Sequence, residues 1–529
     1  MIERAIENWL TNTTERNYQA PFCQVLLREG QKIIHVSTHG PMEQGKDIVT
    51  VDPDGIPCAY QLKSGKIDLA KWHAIRGQVV DLIELPVSHP SVDKGKGHRS
   101  FLVTNGIITD PVRQQIVDIN EDNRRRARGC SNLDVIAGTA LAKKFIDAQG
   151  RFMPEEPTDF QAFLKLFLAD GTDFLDKGTY FRFLNDCIFS DAGGRKGTAT
   201  DAISSSVIIV SYLLDPYQRC KNYYALFEAW TCLGACIARH AHRSRLADTE
   251  FGPSLELVIS EIVRNLSLLR DEALNRPHLL EGSPIGDGAL VYQARATIVL
   301  GASAALDCYG SSREAPRPRD GKLLDVIRRN IRRLAFWCEW FFPHLFWVIK
   351  YLELQGDRTA AEFLLRKALR LTVDLNSPGK AAGSPSPYYS PKDLLDFTLE
   401  AGLGRSEPDI DFGQFCGSSF ILAPLVEMLA RRGERRFLQD SWPAISRIFM
   451  KEFRPDNPED TFLWRAEQGA NHEEQPRSPE SWVRLVQGAN DVSGVPELLA
   501  KHAKLLRFLI LACPHRAQPK IIALLDKVS

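Results

Sequence analysis

The chain has 529 residues, and its 66 Lys and Arg balance its 66 Asp and Glu, so the formal net charge is zero. A hydrophobic fraction of 44% and a charged fraction of 25% are typical of a globular protein. The length favours roughly two to four domains. Zero net charge excludes long-range attraction of nucleic acid by the whole molecule, so a nucleic-acid partner must be held by local basic patches.

Cysteine usage and hydropathy predict the compartment. The 11 cysteines are scattered and form no Cys-x-x-Cys pair, which indicates a reducing cytoplasm rather than a disulfide framework. Residues 1–12 are charged and amphipathic, unlike a signal peptide. The most apolar run, 334–354, is interrupted by Glu339 and Lys350, so it predicts buried helices. We therefore expect a cytoplasmic protein with no membrane partner.

The first 148 residues alternate between helical and strand patterns. Helices are predicted at 2–10, 15–29, 67–85 and 110–120, and strands at 32–37, 47–51, 59–63, 100–104 and 133–137. After the first helix the order is αβββαβ, followed by one more αβ unit. This order predicts an α/β domain at 1–148 in which helices flank a mixed sheet.

Beyond a loop at 150–157, helical periodicity replaces the strand pattern. A loop rich in Pro, Gly and Ser at 311–321 divides this part into two predicted α-helical regions, 158–310 and 322–529, which can also be continuous. The segment 454–481 is long and polar and is expected to be a loop. We expect the helical part to bind a trigger or a protein partner, or to mediate self-association.

The segment 45–63 combines turn chemistry with polar residues at the ends of two predicted strands. Turn-forming residues at 52–55 separate the strands, so the chain is expected to form an antiparallel hairpin. Asp47 begins the first strand, and Gln61 and Lys63 end the second. The hairpin folds the end of the second strand back beside the start of the first. The three side chains are therefore predicted to converge.

These residue types suit metal-dependent hydrolysis. A hard cation such as Mg²⁺, or Mn²⁺ as a substitute, prefers oxygen ligands, which Asp47, the Gln61 amide and the Leu62 carbonyl can supply. The cation lowers the pKa of its bound water and offsets charge on a phosphate. Lys63 can orient or deprotonate that water, or neutralise the oxyanion.

The combination of Gly-x-Asp47 with Gln61-Leu-Lys63 resembles the PD-(D/E)xK, or restriction-endonuclease-like, nucleases of the Mrr-like branch. Tyr18-Gln19 resembles part of their first helix, and Thr104-Asn105-Gly106 resembles their core strand and turn. The resemblance covers residues 13–145. It implies an Mg²⁺-dependent endonuclease, most often acting on double-stranded DNA, of the kind that serves as an effector in bacterial antiphage defence.

Two positions depart from the pattern of this family. Gln61 stands where the strict motif has Asp or Glu, and Gln19 stands where many members have Glu, at a position that assists the metal site. Glu15 precedes Gln19 by one helical turn and can supply a second carboxylate from the same face. Asp47, Lys63 and Glu15 are therefore the residues on which catalysis is expected to depend.

Two basic groups lie close in sequence to the predicted core and can contact phosphates of the DNA backbone. The first group is Lys94, Lys96 and Arg99, and the second is Arg124, Arg125 and Arg126. Either group can instead be a solvated surface cluster.

Other interpretations remain open at the level of sequence. Asp47 and Lys63 can form an ordinary cross-strand ion pair. The domain can be a catalytically degenerate nuclease that binds nucleic acid or serves as a scaffold within a defence complex. RNA is a further substrate, since the same chemistry acts on both phosphodiesters.

Overall fold

The computed structural model describes residues 2–37, 45–92, 97–125, 132–149, 157–190, 198–280, 288–311, 321–380, 382–402, 411–465, 469–476 and 481–528. The chain divides into two compact units. The first contains Met1–Asn222 and Ser244–Glu261, and the second contains Tyr223–Arg243 and Ile262–Ser529.

The first unit contains five strands of one sheet and the helices around them within its described residues. In chain order these elements are α1 (Ile2–Asn12), α2 (Glu15–Arg28), β1 (Lys32–Val36), β2 (Ile48–Val51), β3 (Pro57–Lys63), α3 (Leu69–Glu84), β4 (Arg99–Thr104), α4 (Asp110–Arg125), β5 (Leu133–Ala137), α5 (Gly138–Gln149), α6 (Pro157–Phe167), α7 (Lys177–Arg182), α8 (Ala199–Leu213) and α9 (Asp215–Arg219).

The sheet has the order β1-β2-β3-β4-β5 and is mixed. The first three strands pair antiparallel, with Ile48 opposite Tyr60, whereas β3, β4 and β5 pair parallel. The predicted mixed sheet with flanking helices is therefore confirmed. The predicted strands and helices are present, with ends that differ by a few residues, most at α4, which continues five residues beyond the predicted end.

Asp52 forms the turn between β2 and β3. Its Oδ1 accepts the amide N–H groups of Asp54 at 3.0 Å and Ile56 at 2.8 Å. Such a side-chain bond to the local backbone is the reason that Asp favours turns. The hairpin is therefore encoded by residues close together in sequence.

Both faces of β3 are covered, so six of its seven residues are buried. On one face Ala59 joins a core with Trp72 and Val79 of α3. On the other, Tyr60 stacks on Phe101 with ring centroids 4.7 Å apart and meets the edge of Phe22 of α2 at 5.7 Å. A strand enclosed by helices on both sides is a rigid support for residues at its end.

Helices beyond the sheet pack against its own helices. Trp9 of α1 contacts Phe145 of α5 and Tyr212 of α8, with ring centroids 5.7 and 6.4 Å apart. Gln24 of α2 donates a hydrogen bond to Ser204 of α8 at 3.0 Å. The first compact unit therefore includes helices beyond residue 148, and the α/β domain of residues 1–148 stays a prediction.

The second unit is mostly helical within its described residues. Including the helix α11, which both units share, its elements are α10 (Tyr223–Arg243), α11 (Asp248–Asn275), α12 (Gly288–Ser311), α13 (Gly321–Asn330), α14 (Phe342–Leu354), α15 (Arg358–Asn376), α16 (Pro391–Gly402), β6 (Ser418–Ser419), α17 (Leu422–Arg431), α18 (Arg435–Ile445), β7 (Phe449–Pro455), β8 (Gly469–Glu474), α19 (Trp482–Asn490), α20 (Glu497–Lys501), α21 (Ala503–Ala512) and α22 (Pro519–Val528).

A small sheet of order β6-β7-β8 in this unit was not predicted. The segment 454–481, expected to be a loop, contains the end of β7 and all of β8. Strand β8 is almost entirely exposed and polar, so it carries no apolar alternation, and backbone pairing with β7 holds it in place. None of the helices in the described ranges has the length and apolar composition needed to cross a bilayer.

Candidate active site

Asp47 precedes β2, and its carboxylate is bonded to the neighbouring strand. Its Oδ2 accepts the amide N–H of Leu62 at 2.7 Å, and its amide N–H donates to the Tyr60 carbonyl at 2.8 Å. The carboxylate thus takes the place of a backbone acceptor just before β2 begins. This bond fixes Asp47 beside the last residues of β3, next to Gln61 and Lys63.

Gly45 explains why a glycine comes two residues before Asp47. Its φ is 71°, and a Cβ at this position would lie only 2.5 Å from the backbone oxygen of Gln78 in α3. A side chain would therefore be both strained and in collision with the helix. Glycine lets the backbone pass close to α3 before it enters β2.

Gln61 is buried in β3 with its side chain directed toward α3. Its Nε2 donates to Oε1 of Gln78 at 2.9 Å. Among the described residues its own Oε1 is buried and has no hydrogen-bond partner. Leaving a buried acceptor unsatisfied costs roughly 1–3 kcal/mol. The site therefore holds an oxygen atom, Gln61 Oε1, that accepts no hydrogen bond within the described residues and could serve as a ligand to a cation.

Lys63 ends β3 opposite Thr104 of β4, and its backbone is fixed by Tyr18 of α2. The Tyr18 hydroxyl donates to the Lys63 carbonyl at 2.8 Å. Burial, followed by the negative charges of Glu15 and Asp47, raises the pKa of Tyr18 well above its ordinary value, so the hydroxyl stays a neutral donor. The Lys63 side chain is partly exposed, and within the described part of the chain its ammonium has no ion-pair partner.

Gln19 contacts the main chain beside the site. Its Nε2 donates to the Asp47 carbonyl at 3.2 Å and lies 3.5 Å from the carbonyl of Ser37. In this structure Gln19 therefore holds the Asp47 backbone in position, and its assistance to a metal stays a prediction.

Glu15 is the first residue of α2, one helical turn before Tyr18 and Gln19. Its charge acts on the Tyr18 hydroxyl, as does that of Asp47. Within the described residues Glu15 forms no hydrogen bond with Asp47, Gln61 or Lys63. It contributes negative charge near the site, while Asp47 is the carboxylate bonded to the strand ends.

Asn105 ties the turn after Lys63 to the connection between α1 and α2. Its Oδ1 accepts the amide N–H of Gly65 at 2.6 Å, and its Nδ2 donates to the Thr13 carbonyl at 2.9 Å. The next residue, Gly106, lies so close to Gly65 that a Cβ would be 2.2 Å from its carbonyl carbon. These contacts fix the backbone on the carboxyl side of Lys63.

The residues present fit a hard cation better than a soft one. Asp47 offers a carboxylate, Gln61 offers its unpartnered oxygen, and the Leu62 carbonyl belongs to the residue whose amide Asp47 binds. Within the described ranges no group of three or more His, Cys, Asp or Glu side chains could hold a metal ion. Mg²⁺ usually binds through one or two carboxylates and keeps several waters, so such a sparse oxygen set is compatible with it.

The structure does not bring the described basic residues to this site. Arg99 starts β4 and lies ~17 Å along the strand from Thr104, the partner of Lys63, at ~3.3 Å per residue. It lies 3.7 Å from the carboxylate of Asp52 and 3.8 Å from that of Asp134.

Arg124 and Arg125 end α4, which follows β4 and returns to the amino-terminal end of β5. They therefore lie, like Arg99, at the end of the sheet where β4 and β5 begin. The side chains of Arg124 and Arg125 bond to Asn120 and Glu121 of their own helix. Lys94, Lys96 and Arg126 lie outside the described residues.

Two contributors to the site were not recognised from sequence. Gln78 binds the Gln61 amide, and the Tyr18 hydroxyl holds Lys63, although Tyr18 was noted only as part of a resembling helix. A buried Tyr followed by Gln on the helix before the sheet was the available signal for Tyr18. Nothing in the sequence distinguishes Gln78 from other polar residues of α3.

Comparisons of the chain with protein-family models, with curated proteins and with solved structures found no match.

Proposed function

We propose that the chain is an Mg²⁺-dependent endonuclease, with a restriction-endonuclease-like first unit that hydrolyses phosphodiester bonds of double-stranded DNA. The supporting observation is the bond between Asp47 Oδ2 and the Leu62 amide at 2.7 Å, which fixes a carboxylate beside Gln61 and Lys63. The observed order of strands and helices, αβββαβ after α1, agrees with the proposal. So does the oxygen of Gln61 that the fold leaves unpaired.

In this proposal each residue has a defined task. Asp47 and Gln61 hold the cation, which when bound supplies an activated water and offsets negative charge on the phosphate. Lys63 presents a positive charge to the phosphate or to the attacking water. Tyr18 and Gln19 are positioning residues, because they bond to the backbones of Lys63 and Asp47 rather than to the reacting atoms.

The decisive experiment compares two variants with matched controls in a plasmid-cleavage assay containing Mg²⁺. Asp47→Asn keeps an acceptor for the Leu62 amide but removes the charge, so the fold should persist. We expect Asp47→Asn and Lys63→Ala each to lower the cleavage rate at least ~100-fold, in the range known for loss of one charge-stabilising group. Thermal unfolding and circular dichroism check that both variants remain folded.

Asp54→Asn and Lys32→Ala are the controls, because they remove the same charges from exposed residues at the far end of the β2–β3 hairpin and on the edge strand β1. Both should cleave at the wild-type rate. Wild-type cleavage by both Asp47→Asn and Lys63→Ala would rule out the proposed site.

A degenerate, nucleic-acid-binding scaffold is the second candidate. It is favoured by the amide Gln61, whose Nε2 is already bonded to Gln78, at the position where the strict family motif has a carboxylate. This alternative expects a gel shift of DNA without a metal-dependent product, and retention that is unchanged in Asp47→Asn. The same assays with RNA in place of DNA test the third interpretation, in which the chain cleaves RNA.

An effector role in prokaryotic antiviral defence belongs to the proposal through the sequence resemblance alone. In that role the helical second unit is the part available to bind a trigger or a protein partner. The basic residues at 94, 96, 99 and 124–126 remain proposed phosphate contacts. Arg99, Arg124 and Arg125 would contact DNA that extends from the candidate site to the amino-terminal ends of β4 and β5.

A further inference from the structure

A cavity of about 440 Å³ lies in the second unit, beside the small sheet. We call it the β7 pocket, and its lining includes Glu339, Tyr388, Phe415, Phe420, Lys451 and Arg465. Its volume falls within the ~300–1,000 Å³ of small-molecule sites. It combines aromatic walls, a buried carboxyl group and two basic side chains, which is the composition of a specific ligand site rather than of a packing defect.

Aromatic rings form the walls and are held by their own neighbours. Tyr388 stacks on His515 with centroids 4.8 Å apart and meets the edge of Phe420 at 5.7 Å. Tyr389 meets the edge of Phe415 at 5.5 Å. The four rings that line the cavity are partly exposed to it: Tyr388, Tyr389, Phe415 and Phe420. The walls therefore offer fixed apolar faces on which a planar ring can stack.

Glu339 is the buried acid of the pocket and is only 2% exposed. Its Oε1 accepts from Nδ2 of Asn376 at 3.1 Å, and its Oε2 accepts from the amide of Phe420 at 2.9 Å. The Ser419 hydroxyl also bonds to the carboxyl group. A carboxylate has about four lone-pair positions, so three donors leave one acceptor position for a ligand N–H.

Lys451 and Arg465 bring positive charge to the cavity. Lys451 forms an ion pair with Glu473 at 2.9 Å. Arg465 is exposed, lies over the ring of Trp464 at 4.4 Å and donates one hydrogen bond to the Tyr388 carbonyl at 3.1 Å. Guanidinium has five N–H donors in a fixed fork, so Arg465 keeps donors for an anion. Aromatic walls together with this cation match a ligand that carries both a planar ring and an anionic group.

We propose that the β7 pocket binds a mononucleotide, with its base between the aromatic walls, a ring N–H directed to Glu339 and its phosphate at Arg465 and Lys451. This assignment rests only on residues of the second unit and is independent of the proposed nuclease activity. It gives the helical part of the chain a small-molecule ligand.

Isothermal titration calorimetry of the full chain tests the assignment with AMP, GMP, CMP and UMP. At least one should bind once per chain with a dissociation constant below about 1 mM. Arg465→Ala should weaken that binding about tenfold or more, the loss expected when a charged contact to phosphate is removed. Arg454→Ala is the matched control. Arg454 is exposed, lies three residues after Lys451 in β7 and does not line the cavity.

Two further probes separate the parts of the ligand. Tyr389→Ala should weaken mononucleotide binding but leave the weak binding of inorganic phosphate unchanged, because it removes only a ring from the wall. The matching nucleoside should bind wild type and Arg465→Ala equally. Absence of saturable binding by all four mononucleotides up to about 5 mM, or equal mononucleotide binding by wild type and Arg465→Ala, overturns the proposal.

Discussion

Two hydrogen bonds help to position the candidate active site. The Tyr18 hydroxyl is buried and bonded to the Lys63 carbonyl, and the Asp47 carboxylate is bonded to the Leu62 amide. Neither bond involves the side chain of Lys63, which stays available for a substrate. The backbone at the end of β3 is therefore fixed before any ligand arrives.

Tyr18→Phe tests this positioning role, with Tyr60→Phe as the matched control. Each change removes one buried hydroxyl that donates a bond of 2.8 Å, from Tyr18 to Lys63 or from Tyr60 to Gln31. Both should lower the free energy of unfolding by about 0.5–1.5 kcal/mol, the net contribution of one hydrogen bond. Only Tyr18→Phe should also slow plasmid cleavage; equal cleavage by the two variants would contradict a role for Tyr18 in the site.

Glu339 gives the second unit a predictable pH dependence. Burial, partly opposed by hydrogen bonds from Ser419, Phe420 and Asn376 and by the charge of Lys451, raises its pKa from 4.5 to about 7. Between pH 4.5 and about 7 the folded state therefore keeps a proton on Glu339 that the unfolded state has released. The stabilising contribution of protonated Glu339 is fully present below pH 4.5 and is lost as the pH rises through about 7.

Glu339→Gln should remove this part of the pH profile. Between pH 4.5 and 8 the difference in unfolding free energy between wild type and variant should change by about 3 kcal/mol. Urea unfolding at several pH values measures it, and Glu497→Gln, at an exposed residue, should give a constant difference. Parallel wild-type and Glu339→Gln profiles would show that Glu339 does not titrate in this range.

At the scale of elements, Asp526 connects three helices of the second unit. It lies in α22 and forms ion pairs with Lys350 of α14 at 3.0 Å and with Arg431 of α17 at 2.8 Å. Arg432, which follows α17, is a third partner at 3.1 Å. Burial by itself would raise the pKa of Asp526, but Arg432, Lys350 and Arg431 outweigh it and hold that pKa well below its ordinary value.

Asp526→Asn should destabilise the second unit by at most about 3–5 kcal/mol. It removes the carboxylate that Lys350, Arg431 and Arg432 share, while Glu353 and Glu427 still pair with these cations. The ionised form favours folding, so the contribution is present above the unfolded-state pKa and is lost as the pH falls below it. Hydrogen exchange of α22 amides measures the local effect. Asp374→Asn is the control, because Asp374 is exposed in α15, and it should leave the protection of α22 nearly unchanged.

Elements with local signals could be predicted, and those without them could not. The turn at Asp52 and the β-forming residues of β2 are encoded locally, so the hairpin was predicted correctly. Strand β8 is polar on both sides and depends on β7 for its hydrogen bonds. Such a strand has no period that distinguishes it from a loop, which is why the small sheet was missed.

At the scale of the whole molecule, proximity in sequence gave a wrong impression of proximity in space for the basic residues. Arg124 and Arg125 follow the predicted core closely, but α4 carries them ~23 Å along its axis, at ~1.5 Å per residue over 16 residues. Parallel pairing of β4 and β5 requires this return crossing. Their charges therefore lie near the amino-terminal ends of β4 and β5, whereas Lys63 lies at the carboxyl-terminal end of β3.

The division into units also depended on long-range packing. Helix α8 has an apolar sequence that fits any buried helix, and the sequence does not say which surface it covers. In the structure it packs on α1 and α2, so that residues beyond 148 complete the first unit. Burial is non-directional, and only complementary shape selects the partner.

The sequence by itself determined the order of strands and helices in the first unit, the hairpin turn and the spacing of Asp47, Gln61 and Lys63, because local backbone preference and periodicity act over a few residues. Only the tertiary structure decided that Asp47 bonds to Leu62, that Gln19 holds a backbone carbonyl and that Gln61 keeps an unpaired oxygen. It alone also assembled the β7 pocket, whose walls come from segments far apart in the chain. Those arrangements depend on which buried faces meet, and a hydrogen bond between distant residues leaves no local pattern.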